Sequence, residues 1–154
     1  MWMTLMLACF QEKETAAAAP ASSALAAATQ WDGHHTWARW DTTGEQTCGT
    51  TWHASGPASW DEAAGEATAE LTLTLEGATG DPCFEAAAAR VVLAEGAGGW
   101  SGSVVMMDAS GATVNDCSVE ATVDDASHEL AYATPDDVDA YSDRDVCVGA
   151  LYLL

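Results

Sequence analysis

The chain has 154 residues, enough for one domain around one core, and a chain of that size buries roughly two thirds of the surface it exposes when unfolded. Its 24 Asp and Glu stand against Lys13, Arg39, Arg90 and Arg144, and the net charge of -20 is spread along the whole length, which repels phosphate backbones and excludes nucleic acid as a partner. Hydrophobic residues make up 49% and seven are Trp, which excludes a disordered chain and leaves the charge as a solvated surface.

The first residues, MWMTLMLAC, are an apolar run that ends in a small residue and a cysteine. This resembles the end of a bacterial lipoprotein signal, where an apolar segment precedes a small residue and the lipidated Cys. Ala8 and Cys9 match that pattern; Met6 and Leu7 depart from its usual Leu followed by a small residue, and no Lys or Arg precedes the run. The resemblance covers nine residues and concerns processing alone. It implies a signal segment over residues 1–8 and a mature chain that starts at Cys9, acylated on sulfur and amine. Phe10 is not the Asp that resembles an inner-membrane retention signal, so the implied site is the outer membrane if the host is Gram-negative. Otherwise the chain is expected to be secreted. The competing reading of the same residues is a cytosolic N-terminus that happens to be apolar.

Residues 9–30 read as the lipidated cysteine and a flexible linker. The stretch FQEKETAAAAPASSALAAATQ is rich in Ala, Ser and Thr around Pro20, as suits a spacer. Ala also favours helix, but Leu25 is the only large apolar residue of the Ala-rich part, so a helix there has little to pack with.

From residue 31 to 154 the apolar runs read as strands. In ATAELTLTL, residues 67–75, Ala and Leu alternate with Thr and Glu, the period of a half-buried strand. Residues 117–123 repeat the pattern, and the DDAS turn into HELAYA predicts a hairpin over 117–133. Runs at 36–42, 47–54, 89–95, 100–107 and 146–154 complete about eight strands, separated by turn signals such as Thr43-Gly44 and Ser110-Gly111. The expected fold is all-β, a single antiparallel β-sandwich or small barrel. Residues 84–90, FEAAAAR, are the one segment that could turn helically.

With Cys9 assigned to lipid, Cys48, Cys83, Cys117 and Cys147 remain, an even number that suits two disulfides in an exported domain. Three pairings are open. Buried free thiols are the alternative, and the paired-ligand spacing of a zinc site is missing.

Five of the seven Trp lie within residues 31–60. Trp37, Trp40 and Trp52 are candidates for stacking on a sugar ring or a partner's apolar surface, with core packing as the ordinary alternative. His34 and His35 are adjacent, so on a strand they point to opposite faces. A loop would let them join His53 or Asp32 around zinc or copper, while surface histidines in a polar loop are the ordinary expectation. The segment 136–145 gathers Asp136, Asp137, Asp139, Asp143 and Asp145 as candidate calcium ligands, without the ligand order of an EF-hand. A solvated acidic loop is the plainer reading.

No GxSxG, GxxxxGK, HExxH or dinucleotide motif is present, so no catalytic residue is singled out. The function expected is that of an envelope-anchored interaction or structural domain whose partners are the membrane and an envelope protein or glycan. A module that binds calcium or carbohydrate is the alternative, and an enzyme with an unfamiliar site is the third class.

Overall fold

The structure is a computed structural model that describes residues 22–80, 83–135 and 144–154. Cys9 and the 1–8 segment lie outside the described residues. A short helix, α1 (Ser23–Ala27), leads into β1 (Gln30–Trp40), β2 (Gln46–Asp61), β3 (Glu66–Thr79), β4 (Ala88–Gly96), β5 (Gly99–Met107), β6 (Thr113–Asp124), β7 (Glu129–Ala133) and β8 (Arg144–Leu153). Each strand pairs antiparallel with the next, and β1 also pairs with β8 from Trp31↔Leu153 to Trp40↔Arg144. The sheet therefore closes on itself. Of the two all-β forms expected, the chain takes the barrel, in which each strand pairs with a neighbour on both sides.

The period-2 pattern sorts residues between inside and outside. Ala67, Ala69, Leu71 and Leu73 of β3 are buried while Glu70, Thr72 and Thr74 are exposed. In β6, Cys117, Val119 and Ala121 face in, and Ser118, Glu120 and Thr122 face out. A barrel that spans lipid has the reverse arrangement, apolar outside and polar within, so this wall is built for water.

Closing a small barrel requires sharp coiling, and three inward-facing glycines supply it. A Cβ on Gly33, Gly56 or Gly102 would collide with the backbone of Ala150, Glu70 or Val92 on the neighbouring strand. Register shifts at Arg39/Trp40, Thr51/Trp52 and Met106/Met107 add local bends.

One end of the barrel carries the β2–β3, β4–β5 and β6–β7 turns and is plugged by α1. Ser22 caps the helix, accepting from the Leu25 N–H at 3.2 Å, and donates to Asp125, which also accepts from the Ala24 N–H at 3.0 Å. Leu25 is 1% exposed and joins the core with Ala24 and Ala28. Trp60 and Trp100 meet edge to face at 5.8 Å beside it. The Leu154 carbonyl accepts from the Thr29 and Gln30 N–H groups at 2.8 and 3.1 Å. The folded part thus begins before residue 31. A five-residue helix needs only one large apolar side chain when that side chain fills a barrel end.

The other end is the mouth, where the β1–β2 and β5–β6 turns lie and where β3 and β7 end and β4 and β8 begin. Residues 84–87 are irregular and β4 starts at Ala88, so the helical turn expected at 84–90 is not formed. Two disulfides lie at this end, Cys48–Cys83 and Cys117–Cys147, with Cα separations of 5.7 and 6.4 Å. The first ties the β3–β4 connection back to the start of β2. The second lies past the end of β7: β7 ends at Ala133, whose partners are Glu120 and Val148, and beyond it no strand among the described residues lies between β6 and β8. Cys117 and Cys147 join the two strands there, beside hydrogen bonds between Thr134 and Cys147 at 2.9 and 3.0 Å.

Candidate functional site: the barrel mouth

Polar groups inside an apolar barrel are where chemistry would reside. His35 on β1 is fully buried, its Nδ1 2.8 Å from the Tyr132 hydroxyl and its Nε2 3.3 Å from the Met106 sulfur. A thioether only accepts, so Nε2 carries the proton and Nδ1 accepts from Tyr132. Both nitrogens are satisfied with the ring neutral. Burial drives the His35 pKa down to about 4 and pushes the Tyr132 hydroxyl above its usual range. Gly149 faces the Tyr132 ring, and any Cβ there would strike it. This trio is sealed and self-satisfied, which makes it a packing element.

Nearer the mouth the satisfaction ends. Trp37 and Thr50 are cross-strand partners facing inward, and both are almost completely buried. Among the described residues neither the Trp37 Nε1 nor the Thr50 Oγ1 has a hydrogen-bond partner. A buried hydroxyl without a partner costs about 1–3 kcal/mol, so it marks a place where a ligand or water belongs. Thr50 lines a cleft of about 240 Å³ with Trp52, Leu75, Phe84, Glu85 and Ala86. Phe84 hangs over the interior from the β3–β4 connection, edge-on to Trp37 at 4.7 Å and stacked on Trp52 at 6.0 Å. The adjacent Cys48–Cys83 bridge holds it there. Leu75 is 61% exposed at the lip.

The predicted site residues fall in different places. Trp37 and Trp52 belong to the interior beside this cleft, Trp52 as its wall and Trp37 behind Phe84. Trp40 is half-buried on the rim with the Arg144 guanidinium 5.8 Å from its ring centre. They do not form one exposed stacking face, because Trp37 and Trp52 share the inward parity and Trp40, past a register shift, does not. Asp136, Asp137, Asp139 and Asp143 lie outside the described residues. Asp145 accepts from Arg39 Nε and Nη2 at 2.8 and 3.2 Å, so a guanidinium already occupies both of its oxygens.

The three predicted histidines are on strands and not in a polar loop: His34 faces out, His35 in, and His53 out on β2. Several acids are turn caps. Asp41 Oδ1 accepts from the Thr43 N–H and hydroxyl and the Glu45 N–H, and Asp108 makes the same set with Ser110 and Ala112. The hydroxyl of Thr43 or Ser110 is the main cause that holds each carboxyl below its ordinary range.

Sequence reasoning missed Thr50, Phe84 and the His35–Tyr132 pair. Only the inward parity of Thr50 among apolar residues could have flagged it. No protein-family model, curated protein or solved structure matches the chain.

Proposed function

We propose that the chain is an exported binding domain, anchored to a membrane by lipid on Cys9, that takes a small apolar molecule with one hydrogen-bonding group in the barrel mouth. The observation that carries the reading is the buried Thr50 hydroxyl, without a partner among the described residues, on a residue that lines a cleft with Trp52, Phe84 and Leu75. An apolar cavity of roughly 150 Å³ accepts benzene, so 240 Å³ suits a single ring or short branched chain with one polar substituent. Two disulfides support an oxidising compartment. The chain enters at the plugged end, and residues 10–21 would reach at most about 40 Å from Cys9, which favours a mouth turned away from the membrane.

The test uses phenol, benzyl alcohol and cyclohexanol. A ligand that binds only the native state raises its melting temperature, and Thr50→Val should abolish that rise for cyclohexanol. No rise with any of the three would count against the mouth as a site. Intact mass of the protein from its own host tests the anchor: a chain starting at acylated Cys9 supports it, and one that retains Met1 to Ala8 without acyl mass refutes it.

A second reading keeps the interaction role, with an envelope protein or glycan on the outer wall. β8 presents Val148, Ala150 and Tyr152 outward, Leu154 just past its end is also exposed, and a groove of about 550 Å³ lined by Val148 and Ala150 runs over Ala131, Ala133 and Pro135. Exposed apolar rows of this kind mark interaction surfaces on otherwise charged proteins. Photo-crosslinking from position 152 in intact cells, with adducts there and none from position 74 on another wall, would favour it.

A further inference from the structure

On the outer wall, remote from the mouth, two histidines stand directly opposite one another. His34 of β1 and His53 of β2 are register partners, their ring centres 6.3 Å apart and their planes inclined at 72°. Each ring is held through one nitrogen by a carboxylate. His34 Nδ1 lies 2.8 Å from Glu76 Oε2, and His53 Nε2 lies 2.9 Å from Asp32 Oδ1. The other two nitrogens, His34 Nε2 and His53 Nδ1, are left for a further partner. The flanking residues in register are Ala150 and Thr74, too short to cover the rings, and the His34 and His53 side chains are 58% and 41% exposed.

We infer that His34 and His53 form a cross-strand site for a divalent transition metal such as Cu²⁺, Ni²⁺ or Zn²⁺, with Glu76 and Asp32 as positioning residues. Imidazole nitrogen suits these ions, and a histidine that ligates a metal commonly donates its other N–H to a carboxylate, which fixes the tautomer and ring angle. Glu76 and Asp32 provide that arrangement twice. An ion about 2.0–2.1 Å from one nitrogen of each ring would set the ring centres roughly 5–6 Å apart, a small side-chain adjustment from the separation here. Directly opposed residues of an antiparallel pair have Cβ atoms about 4.5–5.5 Å apart, so the backbone need not move. Among the described residues no three His, Cys, Asp or Glu side chains converge on one point. The ion would accordingly be held by two imidazoles, with water or an outside ligand at its open positions. The net charge of -20 raises the local concentration of cations, and the four cysteines at the mouth are bridged and do not compete.

The test is titration of the oxidised protein with CuCl₂ and with ZnCl₂, followed by calorimetry and, for copper, electron paramagnetic resonance. The expected result is one equivalent bound, a two-nitrogen hyperfine pattern, and at least tenfold weaker binding in both His34→Ala and His53→Ala. Glu76→Gln and Asp32→Asn should weaken binding roughly tenfold while keeping the two-nitrogen pattern, as expected of groups that act through the ligands. All four positions face solvent, and equal melting temperatures without metal would show that the variants fold. Binding unchanged in both histidine variants, binding lost only in His128→Ala, a change at the histidine of the β6–β7 turn, or no binding by the parent protein would each overturn the inference.

Discussion

The two ends of the barrel solve the same problem in different ways. The plugged end is closed by non-covalent packing: Leu25 inserts into the core, Trp60 and Trp100 meet beside it, and the backbone groups of α1 and of the C-terminal residue Leu154 find partners. The mouth is held by two disulfides, and inside it a threonine hydroxyl and an indole N–H have no partner among the described residues. Trp31 also buries an unpartnered indole N–H, but it lies toward the plugged end and does not line the mouth cleft. Covalent staples are used where the sheet cannot seal itself. That combination, a rigid frame around unsatisfied polar groups, is what a preorganised binding site requires.

The comparison can be broken most forcefully at the staples. Each bridge closes a loop about 30–35 residues long, for which chain entropy gives about 3–4 kcal/mol of stabilisation. Cys117→Ser/Cys147→Ser and Cys48→Ser/Cys83→Ser should each lose about that much in urea unfolding, but only the second pair should also lose ligand binding, because it frees Phe84. At the plugged end, Leu25→Ala should cost about 3 kcal/mol, as a large-to-small change in a closed core does, and leave the mouth's ligand affinity unchanged.

Acid acts on the interior between the two ends. His35 titrates at about 4 in the fold against about 6.5 when unfolded, so between those values the unfolded chain binds more protons. The stability that neutral His35 contributes is therefore complete above pH 6.5 and is lost as the pH falls toward 4, a loss of about 3 kcal/mol. Unfolding measured across this window should show that slope in the parent protein. It should be flatter in His35→Phe/Tyr132→Phe, where both hydrogen-bonding partners are removed together. The turn-capping carboxyls of Asp41 and Asp108, held below their ordinary range, also lose stability as they are protonated, so the difference between the two proteins is the quantity to read.

The smallest effect is the sharpest. Thr50→Val removes a buried hydroxyl that has no partner, and the account expects the empty protein to gain about 1 kcal/mol while cyclohexanol binding disappears. A loss of stability would mean that the hydroxyl is satisfied in solution, by water or by its neighbours.

Much of this architecture was legible in the residues. Ala67 to Leu75 and Cys117 to Val123 alternate so regularly that their inward faces could be assigned, and the turns at Thr43-Gly44 and Ser110-Gly111 fall where Gly44 and Gly111 take positive φ. Closure was not legible. It depends on Gly33, Gly56 and Gly102, whose role is set by neighbouring strands distant in sequence, and on pairing between the first and last strands. Leu25 looked too isolated to order a helix because the space it fills is made by strands that come after it.

The site was less legible than the fold. Trp37 and Trp52 could be singled out as aromatic, but whether they packed inward depended on parity within strands whose ends lay beyond the predicted runs. Thr50 carried only the signal of its inward parity with Trp52 and Ala54, a weak one because a threonine on a strand faces water more often than a core. Its role is visible only once Trp37, Phe84 and the Cys48–Cys83 bridge surround it.

The most direct test of the mouth as a binding site is a ¹H–¹⁵N correlation spectrum of the oxidised protein, titrated in turn with phenol, benzyl alcohol and cyclohexanol. The indole N–H signals of Trp37 and Trp52 at the mouth and of Trp60 and Trp100 at the plugged end report on both ends at once. The account predicts saturable shifts at Trp37 and Trp52 and at the amides of Thr50 and Phe84, with Trp60 and Trp100 unmoved. Shifts concentrated at Trp60 and Trp100, or none at the mouth with any of the three compounds, would contradict it.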